Sequence, residues 1–343
     1  MSTKVSVIMP VYNSALYVKD AMESILAQDY RDFQFIIVND GSKDESENII
    51  LSFKDERIEY VKNEQNIGLI ATLNKALKLV KGEYIVRIDG DDTCAPNRIS
   101  TQVKFMDAHP EVGASGSFYY MMLGDKKAVC DFPTSNEEIQ TFLLFNCPLA
   151  HPSSIIRKSI LDQHNIQYSS NYLNSEDYDF WSQISRVSQL VNLPQKLLNY
   201  RVHANQITGN PKNAADRLKS VSAIRARHLK WWGVDFSEGE LFLHNVLSDG
   251  LKAQSVQQIQ ETEQWLLKLL RSSKGKSELH QQYLQKIIFE RWLRFCINFY
   301  GRKGINYFLR STIYKTVKLS FARKKELYKN LFYSWRRKQI KGK

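Results

Sequence analysis

Four short runs, Val5–Val11, Phe35–Val38, Ile58–Val61 and Tyr84–Ile88, are almost wholly apolar, and each ends in turn residues or charges. Stretches of helical spacing, Val18 to Gln28, Glu45 to Phe53 and Leu69 to Val80, separate them. A strand that is apolar on both sides needs cover on both faces, and strands alternating with helices pair in parallel. The expectation is an α/β fold with a Rossmann-like, mostly parallel sheet between helical layers. Ser42 with Glu45 fits a capping box at the start of the second helix. Asp40 then sits at a strand end, within reach of a ligand.

The fourth run leads into Asp89-Gly90-Asp91-Asp92. Three carboxylates around one glycine repel one another unless a cation neutralises them. Hard oxygen ligands suit Mg²⁺ or Mn²⁺, which bind through one or two carboxylates together with substrate phosphates. Open α/β sheets bind ligands at the carboxyl ends of their strands. These residues therefore predict a metal and diphosphate site at that edge. Arg98, beyond Pro96, is placed to steady the cluster.

A family resemblance rests on pieces that recur in order over about residues 1–210. They are SVIMPVYN (6–13), IIVNDGSKDES (36–46), NIGL with LNKAL (66–77), KGEYIVRIDGDD (81–92), APNRI (95–99), LAHPSSIIRKS (149–159), SEDYDFW (175–181) and YRVHANQIT (200–208). The chain resembles the family 2 glycosyltransferases of the GT-A fold, of the type that builds bacterial surface polysaccharide. The resemblance implies a nucleotide-sugar donor, in first place a UDP-sugar, held by Pro10, Tyr12, Asp40, Asp91 and Arg98. It implies Mn²⁺ or Mg²⁺ on Asp92, Asp89 and His203. It makes Asp177 the base, with Glu176 orienting the acceptor, Asp179 a weaker candidate, and His151 lining the acceptor side. An inverting transfer needs such a carboxylate to take the proton of the acceptor hydroxyl. The acceptor is expected to be a glycan or a lipid-linked glycan. Processive members carry QxxRW and membrane helices; the nearest string here, Phe289-Glu290-Arg291-Trp292, lacks the glutamine, so single-sugar addition is expected.

Beyond Gly209-Asn210-Pro211-Lys212-Asn213, read as a break, the resemblance fades. Residues 1–210 are expected to form the transferase domain and 211–343 a helical, basic and aromatic region. From Lys286 onward there are 17 Lys and Arg against two acids, a net +15, which leaves −3 on the other 285 residues. Leu284, Ile288, Trp292, Phe295 and Phe299 recur at helical spacing and are expected to pack internally. Phe321 through Lys338 is expected to touch an anionic membrane surface, each lipid-facing basic residue contributing about 1 kcal/mol. Nucleic acid is the disfavoured partner for that surface, since no helix-turn-helix, RNP or zinc-finger pattern is present.

The four cysteines, Cys94, Cys130, Cys147 and Cys296, have no CxxC spacing, which fits a reducing cytoplasm. No apolar stretch reaches the length of a membrane span, so the expected location is cytoplasmic and peripheral at the inner membrane face. Two other readings keep the fold logic. A nucleotidyltransferase needs a Gly-rich triphosphate loop with a basic residue, which is missing near the first strand. A catalytically inactive membrane adaptor need not keep Asp91, Asp92 and Asp177, and all three are present. A P-loop NTPase is excluded by the lack of GxxxxGK[ST].

Overall fold

The computed structural model describes residues 3–124, 126–203, 206 and 213–317. The basic segment 321–338 and most of the expected break, 209–212, lie outside the described residues. The chain divides into two compact units, Met1–Ile139 with Cys147–Ile224, and Gln140–Asn146 with Arg225–Lys343.

The first unit opens with β1 (Val5–Val11), α1 (Val18–Leu26), β2 (Phe33–Asn39), α2 (Ser46–Ser52), β3 (Ile58–Lys62), α3 (Leu69–Leu79) and β4 (Tyr84–Arg87). It continues through β5 (Thr93–Cys94), α4 (Arg98–Ala108), β6 (Val112–Leu123), β7 (Lys126–Cys130) and α5 (Asn136–Phe142), whose last turn belongs to the second unit. Then come β8 (Ile155–Arg157), α6 (Lys158–His164), α7 (Glu176–Ile184) and β9 (Gln189–Arg201). The strand order is β3-β2-β1-β4-β8-β6-β9-β5, with β7 on β6. β1, β2, β3 and β4 are parallel. Every residue of β1 and β2 is buried, as two-sided cover requires. α1 supplies part of that cover through Val18, Ala21, Met22 and Ile25, one stripe at helical spacing.

Past β4 the sheet is mixed. β8 runs antiparallel to β4 and β6, β6 and β9 pair in parallel, and β5 and β7 add antiparallel edges. Because β1, β2 and β4 run the same way, Tyr12, Asp40 and Asp89 follow them at the same sheet edge. The pairing of Asp40 N with Val11 O at 2.8 Å and of Ile88 N with Ile8 O at 3.2 Å ties these strand ends together.

One local expectation is corrected. α2 begins at Ser46 with no side-chain cap bond, so Ser42 does not form a capping box. Its hydroxyl instead accepts from Asn13 N at 3.0 Å, tying the loop after β2 to the loop after β1. Asp44 meanwhile accepts from Ser46 N at 3.0 Å and from Ala15 N at 2.9 Å.

The second unit is helical. α8 (Ala214–Trp232) starts in the first unit and ends here, followed by α9 (Glu238–Ser248), α10 (Val256–Ser272), α11 (Glu278–Tyr300), α12 (Lys303–Arg310) and α13 (Thr312–Thr316). Leu284, Ile288, Trp292 and Phe295 are buried in one apolar cluster with Trp265, Leu266 and Phe308, and Phe299 packs against it half-buried. The α11 stripe is thus internal, as its spacing predicts. α9 opens with a true capping box between Ser237 and Glu240. Among the described residues, no helix is long and apolar enough to cross a membrane.

His244 gives this unit a pH dependence. The imidazole is fully buried, accepts from Trp265 Nε1 at 3.2 Å through Nδ1, and donates from Nε2 to Leu144 O at 2.7 Å. Burial pushes its pKa down to about 3, against the pull of the Leu144 carbonyl. Unfolding restores the ordinary value near 6.5, so the unfolded chain binds the extra proton and stability falls as pH drops below 6.5. The expected loss from this group between pH 7 and pH 5 is about 2 kcal/mol. Urea unfolding at the two pH values measures it, and His244→Phe should flatten the difference.

Candidate active site

β4 stops at Arg87, and the chain turns through Ile88, Asp89, Gly90, Asp91 and Asp92. The turn passes tightly over β1: a side chain at Gly90 would bring its first carbon within 3.2 Å of Val11. One ligand atom from each of Asp89, Asp91 and Asp92 lies within 4.8 Å of the others. β5 then pairs with β9, Thr93 opposite Asn199 and Cys94 opposite Leu198. That ladder carries the late YRVH segment onto the carboxylates. Arg201 N donates to Asp92 Oδ1 at 2.9 Å, and His203 Nε2 lies 2.8 Å from Asp91 Oδ2. Tyr17 stacks on the His203 ring at 4.6 Å.

Asp92 is 1% exposed, and its Oδ2 has no hydrogen-bond partner. A buried carboxylate oxygen without a donor is costly. Burial first, then the charges of Asp89 and Asp91, hold the Asp92 carboxyl well above the ordinary range. Asp89 rises to about 6 through burial, opposed by Arg87 and reinforced by Asp91.

The second carboxylate pair stands at the start of α7. Glu176 and Asp177 occupy the helix's first turn, where the macrodipole favours negative charge. Asp177 Oδ1 accepts from Tyr178 N at 2.7 Å and Oδ2 from the Cys147 thiol at 3.5 Å. Burial, then Asp177, raises Glu176 to about 7. Burial also raises Asp177, against the Tyr178 N–H and the Cys147 thiol. The two carboxylate sets feel each other's charge, since Asp177 raises Asp89 and Asp89 raises Glu176. Asp179 faces inward instead, 1% exposed, and accepts from Gln183 Nε2 at 2.7 Å.

The remaining expected residues fall in distinct places. Tyr12 is 47% exposed after β1, and Pro10 is buried within that strand. Asp40 is buried and clamps the loop before α3, accepting from Asn63 Nδ2 at 2.9 Å, Ile67 N at 2.9 Å and Gly68 N at 3.0 Å. Gly41 makes that approach feasible. Its φ is +68°, and a Cβ there would sit 2.6 Å from the Gln65 carbonyl carbon. His151 is buried 2.7 Å from the Tyr168 hydroxyl, and burial with the Arg87 charge keeps it neutral. Arg98 departs from the expectation of a donor contact. It is fully buried behind the cluster and donates to the carbonyls of Arg87 at 2.7 Å and Ser154 at 3.2 Å, and to Gln102 Oε1 at 3.1 Å. It touches none of the carboxylates by hydrogen bond, but its charge and that of Asp92 feel each other.

The model of glycosyl transferase family 2 matches residues 6–164. The chain is 33% identical over 231 residues to an Escherichia coli protein, UDP-Glc:alpha-D-GlcNAc-diphosphoundecaprenol beta-1,3-glucosyltransferase WfaP, an overlap of 65% of this chain and 88% of that one. It belongs to the family 2 glycosyltransferases. An uncharacterized glycosyltransferase of Haemophilus influenzae is 32% identical over 214 residues, 59% of this chain and 66% of that protein, so this chain spans just under two thirds of that relative's length. The crystal structure of Staphylococcus aureus TarS residues 1–349 with UDP-GlcNAc superposes with a TM-score of 0.59 over 91% of each chain at 18% identity. That likeness concerns the fold: a GT-A sheet with its helices, followed by a helical C-terminal region.

In this glycosyltransferase the sequence reading overlooked the cation at the centre of the site. Arg87 is 2% exposed, and its guanidinium forms a two-pronged ion pair with Asp89, Nη1 to Oδ2 at 2.7 Å and Nη2 to Oδ1. Such fork-to-fork pairing fixes both partners. The same charge lowers Asp92, Glu176 and Asp177. A signal was available: Arg87 is a lone charge within an otherwise apolar run, two residues before Asp89. Tyr168 and Cys147 were also overlooked, and neither carries a signal without the fold.

Proposed function

We propose that this chain transfers one sugar from a UDP-sugar to a hydroxyl of a glycan or lipid-linked glycan, with inversion at the anomeric carbon, in surface polysaccharide assembly. The observation that carries the reading is a pair of half-buried carboxylate sets within electrostatic reach of each other, one of them holding the buried, unpartnered Asp92 Oδ2. The donor class is supported by WfaP, named for UDP-Glc and a diphosphoundecaprenol-linked acceptor, and by the TarS complex with UDP-GlcNAc. The β-linked product in the WfaP name supports inversion. Catalysis is assigned to residues 1–210, with 211–343 as the helical region.

The nucleoside is assigned to the loop edge after β1 and β2. The exposed Tyr12 ring offers a stacking face. Asp40 Oδ2 accepts one hydrogen bond, from Gly68 N, and a carboxylate oxygen keeps a second lone pair for a base N–H. Asp91 is assigned to the ribose side, where His203 holds its carboxylate.

The acidic cluster fits a divalent Mn²⁺ or Mg²⁺, since its donors are hard oxygens and one of them is buried without a partner. Asp92 and Asp89 would hold the ion, with His203 beside them. When bound, such an ion neutralises charge on the diphosphate. Arg87 holds Asp89 in place, and the Arg201 backbone does the same for Asp92.

Asp177 takes the proton from the acceptor hydroxyl as its oxygen attacks the anomeric carbon. The bond from that carbon to the diphosphate breaks, and its electron pair leaves with the nucleoside diphosphate. Glu176, whose carboxyl is raised by burial and by the charge of Asp177, is assigned to orient the acceptor. His151 acts on the acceptor side through the Tyr168 hydroxyl.

The test is turnover of a panel of UDP-sugars with a polyprenyl-diphosphate-linked GlcNAc acceptor, followed by release of UDP and by NMR of the new linkage. Consumption of one donor with an inverted linkage is the expected result. No transfer by folded protein across nucleotide-sugars and acceptors would favour the adaptor reading, and formation of a nucleotide-sugar from a nucleoside triphosphate would favour the nucleotidyltransferase. We assign residues 321–338 to an anionic membrane surface on charge and aromatic content alone. Truncation after residue 320 should reduce sedimentation with phosphatidylglycerol vesicles, and wild-type sedimentation would contradict that assignment.

A further inference from the structure

Cys147 enters the first unit in the segment that leads to His151, thirty residues before Asp177 in the chain. Its sulfur lies 3.5 Å from Asp177 Oδ2 and 3.4 Å from Leu149 O. Both oxygens accept only, so the thiol hydrogen is the one available to either contact. The Asp177 carboxylate is anchored at its other oxygen by Tyr178 N at 2.7 Å, a bond within its own helical turn. Among the described residues, Cys147 therefore supplies a donor that reaches this carboxylate from outside α7. Both residues are half-buried, as groups lining a substrate cleft are. The surroundings keep the sulfur in the form that donates: burial, then the charge of Asp177, raises the thiol well above its ordinary range. The sulfur is no nucleophile here, because a thiol held protonated beside two carboxylates is the opposite of an activated one.

We propose that Cys147 is a positioning residue for Asp177, its thiol fixing the carboxylate through Oδ2 and stabilising the ionised form that accepts the proton. The inference rests on Asp177 being the base. A donor to a carboxylate favours its charged form and so lowers its pKa. Losing that donor has two consequences. The carboxylate gains a rotational freedom that the Tyr178 contact does not remove. Its pKa also rises, so that a larger fraction is protonated at a given pH. Both effects fall on kcat, since neither group is assigned to the donor nucleotide.

The experiment compares Cys147→Ser, Cys147→Ala and Cys147→Val, recording the pH dependence of kcat and the KM for the nucleotide-sugar. Serine keeps a donor; valine fills the space of the thiol without one. Alanine and valine should lower kcat about tenfold and move the acid limb of the kcat profile upward by about half a unit or more, with KM for the donor unchanged. Serine should restore both kcat and the limb. If valine and serine behave alike, or if the limb stays in place for alanine and valine, the proposal is overturned. Should alanine fail to fold, the serine and valine pair still decides. Asp177→Asn, measured alongside, separates the two layers. Full turnover by Asp177→Asn removes the base assignment and the inference with it. Loss of turnover there, with wild-type kcat and pH profile in Cys147→Val, removes the inference alone.

Discussion

Asp177→Asn should cut kcat by roughly 10²–10⁴ while leaving the affinity for UDP and for the nucleotide-sugar nearly intact, as removal of a general base does. The amide keeps the size of the carboxylate and can still accept from Tyr178 N, so α7 should start as before. It cannot take a proton from an acceptor hydroxyl at neutral pH. Equilibrium binding and steady-state kinetics on one preparation measure the split. A collapse of nucleotide affinity would place Asp177 in the donor site. Unchanged kcat would leave the proton without an acceptor and end this mechanism. Glu176→Gln should show a smaller loss in kcat with a change in acceptor KM, because Glu176 is assigned to orientation.

The second large effect is at Asp92. Asp92→Ala should nearly abolish turnover and remove the metal dependence of UDP binding, since it deletes the buried oxygen with no partner and the acceptor of Arg201 N. A carboxylate held well above its ordinary pKa is a destabilising group at neutral pH when no cation balances it. Asp92→Asn should therefore melt higher than the wild type in EDTA, and that advantage should shrink when Mn²⁺ is added. The sign follows from linkage: a folded-state pKa above the unfolded one makes the ionised protein less stable, and the neutral amide escapes that cost. Scanning calorimetry with and without metal checks it. Equal melting temperatures in EDTA would mean that Asp92 is stabilised by something the geometry does not show.

The difference in temperament between the two carboxylate sets follows from where they sit. Asp89, Asp91 and Asp92 crowd one turn, where the charge of Asp91 raises Asp89 and the charges of both raise Asp92, with Arg87 as the balancing cation. Glu176 and Asp177 stand at a helix start, where backbone N–H groups favour charge. One set calls for a cation, the other for a proton.

The sequence disclosed the parts of this arrangement that are local. The strands β1, β2 and β4 were legible because two-sided burial makes their residues continuously apolar, and the acidic turn after β4 because three carboxylates are adjacent in the chain. The parts that depend on distant pairing were not legible. β6 and β9 alternate too weakly to read as strands, yet the pairing of β5 with β9 is what sets Arg201 and His203 against the carboxylates. Ser42 had the spacing of a cap, but the loop after β1 takes its hydroxyl. Arg98 was expected to steady the acidic cluster and help hold the donor, and two backbone carbonyls hold it in the core. Arg87 was hidden by its position inside a strand, and Cys147 by lying thirty residues from the carboxylate it touches.

The most direct test of the central claim is calorimetric titration of the protein with UDP, GDP, CDP and dTDP, in Mn²⁺ and in EDTA. The account predicts that UDP binds in Mn²⁺, that EDTA abolishes or strongly weakens it, and that Asp92→Ala behaves in Mn²⁺ as the wild type does in EDTA. Binding of UDP with equal affinity in both conditions would contradict the metal site, and no binding of any nucleotide by folded protein would contradict the transferase itself.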